Sequence, residues 1–214
     1  MRIIGTVGLP GSGKGEAADV AREEGLPVVT MGDVIREACR ERGLDPSEHH
    51  GEVAQALREE HGETAIADRT VDRIREAVDA DGGEGEDEDE GVNAVVVDGL
   101  RSPAEVEAFE VAFGEDFLVV AVNAPFDLRA ERLGERGREA TDLDRERLRE
   151  REDRELGFGM GEVIAAADVT VDNTDTLAAF RDRVRRLLRA GPTALADEDG
   201  VTVADDAVER EGEA

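Results

Sequence analysis

The chain has 214 residues, and its 54 acidic side chains against 26 basic ones give a formal net charge of −28 at pH 7. Hydrophobic residues make up 39% of the chain, which suffices for one globular domain with a sizeable core and excludes wholesale disorder. The single cysteine, Cys39, excludes an internal disulfide and a cysteine-rich metal site, and we expect it in the core. Because there is no apolar run of about 20 residues and no net basic surface, we expect a cytoplasmic protein without a membrane partner, and a nucleic-acid partner is disfavoured.

Acidic residues are concentrated in two stretches. Residues 81–91 hold seven acids and no base, and residues 192–214 hold eight acids and one arginine. We interpret these as a disordered acidic insertion and a disordered acidic tail, attached to a domain at residues 1–191. Because about 1 M salt shortens the Debye length to about 3 Å, the acidic composition indicates adaptation to a salt-rich, halophilic cytoplasm. An ordinary acidic protein with acidic tails is the alternative.

Short apolar stretches alternate along the chain with segments of helical spacing. In chain order, the pattern predicts a strand at 2–8, a helix at 16–24, a strand at 26–30, helices at 33–42, 47–61 and 63–80, a strand at 92–97, a helix that opens at 102, a strand at 117–122, a helix at 125–136, an Arg/Glu-rich stretch at 138–156, a strand at 168–171 and a helix at 174–189. This alternation predicts an open, mostly parallel five-stranded α/β sheet. Ligands of such sheets bind beyond the carboxyl ends of the strands, where the loops after the first four strands meet.

A glycine-rich loop follows the first predicted strand and opens the first helix. Backbone N–H groups of such a loop curl around phosphate oxygens, the helix dipole adds positive charge, and Lys14 reaches the outer phosphates. Lys14 is also the only lysine among the 26 basic residues. A glycine turn with a chance lysine is the alternative. The predicted nucleotide-binding residues are Gly8, Leu9, Pro10, Gly11, Ser12, Gly13, Lys14 and Gly15.

The pattern G-x-P-G-x-G-K-G in this loop resembles the loop of the adenylate kinase family, as do two further segments, T-M-G-D-V-I-R at 30–36 and D-G-L-R at 98–101. Residues 98–102 and 154–165 also resemble an archaeal family of adenylate-kinase-related, dephospho-CoA-kinase-like nucleotide-binding proteins. The resemblance covers about residues 1–190. It implies a P-loop, three-layer α/β/α fold with a short lid and acceptor-binding helices, ATP and Mg²⁺ as cofactors, and Arg36 and Arg101 on the acceptor phosphate.

Three carboxylates near the loop have open roles. Asp98 ends a buried strand and is predicted to hold Mg²⁺ through water, since Ser102 already serves as the cap of the next helix. Asp33 is predicted to lie at the acceptor, either as a helix N-cap, which we favour, or as a general base for a hydroxyl acceptor. Glu16 stands where adenylate kinases have threonine. Four roles are open for it: an outward orientation, a pair with an arginine, the orientation of magnesium-bound water, or a favourable interaction with the helix dipole.

The segment at about 132–157 resembles the short lid of monophosphate kinases. Arginines in such a lid close over the transferring phosphoryl group, and we expect Arg132, Arg138 and Arg151 to do so. The alternative is a solvent-facing helix laced with pairs such as Glu150–Arg154. The three histidines, His49, His50 and His61, lack metal-ligand spacing and are expected to be exposed.

The sequence therefore predicts an ATP-binding P-loop kinase that transfers the γ-phosphoryl group to a small-molecule acceptor, a nucleoside monophosphate or related nucleotide. Lys14, Asp98 and Arg138 are the predicted catalytic residues. The predicted acceptor-binding residues are Asp33, Arg36, Arg101, Arg132 and Arg151. The alternatives are a dephospho-CoA-type kinase with a hydroxyl acceptor and a non-catalytic ATP- or AMP-binding regulator. The sequence leaves the oligomeric state open.

Overall fold

The computed structural model describes residues 1–81, 94–135 and 142–208 of the chain. Its strands are β1 (Arg2–Val7), β2 (Val28–Thr30), β3 (Ala94–Asp98), β4 (Phe117–Asn123), β5 (Val169–Asp172) and β6 (Val201–Val203). They form one six-stranded sheet in the order β2-β3-β1-β4-β5-β6. All neighbouring pairs are parallel except β5 and β6, which are antiparallel. The predicted mostly parallel sheet is confirmed, but it has six strands instead of the predicted five, because β6 adds an antiparallel edge strand.

Nine α-helices surround the sheet in the described part of the chain. They are α1 (Lys14–Glu23), α2 (Met31–Glu41), α3 (Pro46–His61), α4 (Ala65–Asp81), α5 (Pro103–Phe113), α6 (Phe126–Glu135), α7 (Asp142–Gly157), α8 (Met160–Ala165) and α9 (Leu177–Ala190). The side chain of Ser102 accepts a hydrogen bond from the backbone N–H of Glu105 (3.3 Å), so Ser102 caps α5 as predicted. None of these helices combines the length and apolar character needed to cross a membrane.

Alternating residues of the buried strands face two separate hydrophobic cores. Ile3 packs in the core formed with α2, α3, α4, α5 and α8, whereas its neighbour Ile4 packs in the core formed with α1 and α9. Val95 and Val96 divide in the same way along β3. Since successive side chains of a strand point to opposite faces, these apolar strands require a helical layer on each face. The predicted three-layer α/β/α arrangement is confirmed, and Cys39 is fully buried in it.

The prediction of a solvated tail after residue 191 is wrong for residues 192–208. Val201 and Val203 lie in β6 and pair with Val171 and Val169 at the edge of the sheet. Leu195, in a 3₁₀ turn just before β6, is completely buried. An unpaired edge strand exposes its backbone polar groups, and this short segment covers the edge of β5. Residues 209–214 and almost all of the predicted acidic insertion lie outside the described residues.

Candidate functional site

The glycine-rich loop joins β1 to α1 in a conformation that side chains would obstruct. The φ angles of Gly11 and Gly13 are 80° and 120°, a region that favours glycine. A Cβ atom on Gly11 would lie 2.8 Å from the carbonyl oxygen of Arg129, so a larger residue there would displace the loop. The glycine spacing seen in the sequence therefore has a steric basis in the structure.

The interior of the loop provides polar groups that fit a phosphate. The hydroxyl of Ser12 is buried and finds no hydrogen-bond partner within the part of the chain that the structure describes. The ammonium group of Lys14 donates a hydrogen bond to the carbonyl oxygen of Gly8, across the mouth of the loop. A buried polar group without a partner is costly, and an anion held by the loop would satisfy it. The residues present therefore fit a nucleotide phosphate.

Burial lowers the pKa of Lys14, because desolvation disfavours the ammonium ion. Asp98 and Glu155 act in the opposite direction through their negative charges, while Arg101 and Arg151 add to the lowering. Lys14 is thus positioned among charges of both signs. The negative charge of a bound polyphosphate would favour its protonated form.

The side chain of Lys14 lines a cleft with a volume of about 670 Å³. The cleft lies between the glycine-rich loop, α2, α3, the start of α5 and the α7–α8 region. Several of the predicted site residues line it together: Pro10, Lys14, Arg36, Asp98, Arg101 and Arg151. Asp33 and Arg132 are not among its lining residues, and Arg138 lies outside the described residues. The volume falls within the range of small-molecule sites in proteins, about 300–1,000 Å³.

Asp98 is the carboxylate at the end of β3, next to Thr6 of β1 in the parallel register. The Thr6 hydroxyl donates a hydrogen bond to Oδ1 of Asp98 (3.1 Å), which fixes the carboxylate at the edge of the cleft. No cluster of three or more potential ligands (His, Cys, Asp or Glu) for a metal ion occurs within residues 1–81, 94–135 and 142–208. Mg²⁺ is commonly held by one or two carboxylates together with substrate phosphates and water, and this single carboxylate fits that mode of binding.

The favoured interpretation of Asp33 as an N-cap is wrong. Helix α2 begins at Met31, directly after β2, and Thr30 occupies the cap position. Asp33 lies in the first turn and forms an ion pair with Arg36, with 2.7 Å between Nη2 of Arg36 and Oδ1 of Asp33. Its carboxylate lines a neighbouring depression of about 500 Å³ with Arg73 rather than the cleft. The helix starts earlier than predicted because it follows the strand without a connecting loop.

Glu16 lies in the first turn of α1 and forms an ion pair with Arg181 of α9. This arrangement matches two of the open alternatives, an arginine partner and an acid in the first helical turn that favours the helix dipole. Arg181 also pairs with Glu23 of α1, so one guanidinium group bridges two carboxylates on the same helix. The charge of Glu16 is therefore largely compensated before any phosphate approaches the loop.

Arg129 supports the loop from outside the cleft and was not singled out by the sequence. It is 4% exposed and donates hydrogen bonds to the carbonyl oxygens of Pro10 (3.2 Å) and Ala124 (2.8 Å). Its guanidinium group also forms a buried ion pair with Glu152 of α7. Arg129 thus connects the glycine-rich loop to both α6 and α7.

Arg132 contacts the loop through Asn173. Its Nη2 donates to the backbone oxygen of Asn173 (2.9 Å), and Nδ2 of Asn173 donates to the backbone oxygen of Ser12 (2.8 Å). Arg151 lines the cleft instead, where Nε donates to Oε1 of Glu155 (3.1 Å). Of these two predicted lid arginines, Arg151 therefore lines the cleft and Arg132 does not.

The wall of the cleft opposite the loop carries groups that the sequence does not reveal. His50, expected to be exposed, lies on α3 within the cleft, and burial lowers its pKa, with the positive charges of Arg101 and Arg36 contributing. The buried carboxylate of Glu105 accepts a hydrogen bond from the backbone N–H of Arg101 (2.8 Å) and pairs with Arg58 of α3 (3.3 Å). The capping-box position of Glu105 was visible in the sequence, but its second partner was not.

Comparison with known proteins agrees with this architecture. Residues 7–149 match the family model described as AAA domain. A UPF0200 protein of Halobacterium salinarum is 54% identical, with 89% of this chain and 94% of the relative covered. A UPF0200 protein of Methanosarcina mazei is 43% identical, with 88% and 94% covered.

Solved structures show the same fold at low sequence identity. The crystal structure of TT1252 from Thermus thermophilus has a TM-score of 0.57 and 20% identity, and it covers 87% of this chain and 96% of its own. A shikimate kinase from Bacteroides thetaiotaomicron has a TM-score of 0.53 and 17% identity, with 87% and 98% covered. The sheet and its glycine-rich loop are thus those of a P-loop kinase-like fold.

Proposed function

Because the chain belongs to the UPF0200 family, within the adenylate-kinase-like P-loop kinases, we propose that it binds ATP with Mg²⁺ and transfers the γ-phosphoryl group to a nucleoside monophosphate or a related nucleotide-like acceptor. One observation carries the proposal: Lys14 of the loop lines the same cleft as Asp98, Arg36 and Arg101. Donor-binding and acceptor-binding charges thus share one cavity.

The residues of the cleft divide the work of such a transfer. The loop amides and Lys14 bind the donor phosphates, and Asp98 would hold Mg²⁺, which neutralises charge on the phosphates when bound. Arg36 and Arg101 bind and orient the acceptor phosphate, and Arg151 adds positive charge on the remaining wall. Positioning and electrostatic stabilisation suffice for phosphoryl transfer, so no covalent intermediate with the protein is required.

A hydroxyl acceptor is the second candidate, because a shikimate kinase shares the fold. A hydroxyl group needs a base, and the ion pair between Asp33 and Arg36, facing a separate depression, disfavours Asp33 in that role. Replacing Asp33 with asparagine separates the two chemistries. Transfer at the wild-type rate supports the phosphate acceptor, whereas near-complete loss in a stable protein supports the hydroxyl acceptor.

The decisive experiment measures ATP binding and ADP release in molar KCl, since the net charge of −28 supports the proposal of a salt-rich cytoplasm. Lys14→Ala should abolish transfer. Asp98→Asn should still bind ATP, but Mg²⁺ should no longer change its affinity for ATP. Arg22→Ala, on the exposed face of α1, is the matched control for loss of a cation.

Each outcome of this experiment has a definite meaning. ADP release that rises with a nucleoside monophosphate supports the kinase. ATP binding without acceptor-dependent ADP release would instead favour the non-catalytic regulator. If Lys14→Ala turned over at the wild-type rate, the proposed donor site would be refuted.

A further inference from the structure

Phe158 is an exposed aromatic side chain at the wall of the cleft. The chain has six phenylalanines and neither tyrosine nor tryptophan. Phe158 is 55% exposed, whereas each of the others is buried or partly buried. A single exposed apolar side chain is common at protein surfaces, but Phe158 lines the cleft, and aromatic side chains that line a cavity are typical contacts of a ligand.

The backbone around Phe158 is held in a defined position between α7 and α8. The N–H of Phe158 donates a hydrogen bond to the carbonyl oxygen of Glu155 (3.2 Å). The next residue, Gly159, has φ of 88°, and a Cβ atom there would approach Cδ of Pro103 to 2.7 Å. The connection therefore packs closely on the start of α5, and Phe158 lines the cleft beside it.

A second flat group faces this ring from another helix. The guanidinium carbon of Arg58 on α3 lies 5.8 Å from the centroid of the Phe158 ring. Arg58 is anchored by Glu105, which is 1% exposed, so its position does not depend on the ring alone. Aromatic rings and guanidinium planes both bind planar groups by stacking.

The charged side chains of the cleft complete a bipartite arrangement. Arg36 and Arg101 supply cations for a phosphate, while Phe158 and Arg58 supply flat surfaces. An acceptor without a planar ring would use the arginines and leave the exposed phenylalanine in water.

We propose that Phe158, together with Arg58, forms a ring-stacking subsite that makes the acceptor a phosphate ester carrying a planar heteroaromatic base. This inference rests on the proposed function and assigns the residues that recognise the base of its acceptor. It predicts discrimination between a nucleoside monophosphate and a sugar phosphate that presents the same phosphate without a base.

The test uses the full chain in molar KCl and the fluorescent probe 2-aminopurine riboside 5′-monophosphate. Because the chain contains no tryptophan or tyrosine, emission of the probe is read without protein background, and stacking quenches it. Phe158→Leu keeps an apolar side chain but removes the π face. It should weaken probe binding about tenfold or more and abolish the quenching, and Phe158→Tyr should restore both.

Ribose 5-phosphate, titrated by calorimetry, should bind to wild type and to Phe158→Leu with equal affinity, because it has no base to stack on the ring. Leu177→Ala is the matched control, because Leu177 is 58% exposed and does not line the cleft. Absence of probe binding by wild type, or unchanged binding and quenching in Phe158→Leu, would overturn the subsite. ATP binding measured on the same preparations tests the proposed function separately. If ATP binding requires Lys14 while Phe158→Leu binds the probe as wild type does, the subsite alone is refuted.

Discussion

Replacing Arg129 with methionine should destabilise the fold far more than replacing a surface arginine. Arg129 is 4% exposed and its partner Glu152 is 9% exposed, so the substitution would leave a buried carboxylate without its cation. Breaking such a pair from one side costs about 3–5 kcal/mol. The carbonyl groups of Pro10 and Ala124 lose their donors as well, at about 1–3 kcal/mol each if they stay dry. Because these contributions share one side chain and do not add, we expect a loss of about 3–5 kcal/mol.

Chemical denaturation in molar KCl, followed by far-ultraviolet circular dichroism, measures this loss. A second variant, Arg129→Met with Glu152→Met, removes the uncompensated charge and should recover at least half of the lost stability. Arg145→Met is the control, since Arg145 pairs with the exposed Asp127 and also lies over the ring of Phe126. Its effect on stability should be small. A single variant as stable as this control, or a double variant no better than the single one, would refute the argument.

Two further predictions concern charges beside the cleft. Arg181→Gln should weaken ATP binding by a factor of about 2–5, because the carboxylate of Glu16, near the loop, loses its cation. Adding Glu16→Gln to this variant should restore the affinity for ATP. A Kd for ATP in calorimetry that Arg181→Gln leaves unchanged would contradict this electrostatic role. Burial lowers the pKa of His50, so below about pH 6.5 the unfolded chain binds a proton at this position more readily than the folded chain does. The free energy of unfolding should therefore fall as the pH drops from 6.5 towards the lowered pKa of the folded state. His50→Gln should reduce this pH dependence, measured by denaturation curves at pH 7.5 and 5.5.

The features that the sequence predicts well are those encoded by neighbouring residues. The valines of β3 are a continuous apolar run, which is typical of a strand buried on both faces. The loop before α1 is recognisable because its glycines and Lys14 are local requirements of one backbone turn. The cap at Ser102 is likewise a relation between residues three apart.

The features that the sequence does not reveal depend on partners far along the chain. Arg129 and Glu152 are 23 residues apart, and each stands in a stretch where most charges face solvent. β6 has only three residues, and its strand character depends on pairing with β5 rather than on its own pattern. His50 has the polar neighbours of a surface helix, and only the packing of α3 against α2 brings it into the cleft.

The single lysine of the chain has a physical explanation in the loop. At the other 25 basic positions the chain has arginine, whose planar fork suits the carboxylate partners found throughout the structure. The ammonium group of Lys14 is a compact point charge that reaches the carbonyl oxygen of Gly8 inside the turn. A guanidinium group there would need room that the loop lacks, since Gly11 and Gly13 already tolerate no Cβ atom. The loop therefore requires a small cation, and lysine is the side chain that provides one while keeping its charge when phosphates bind.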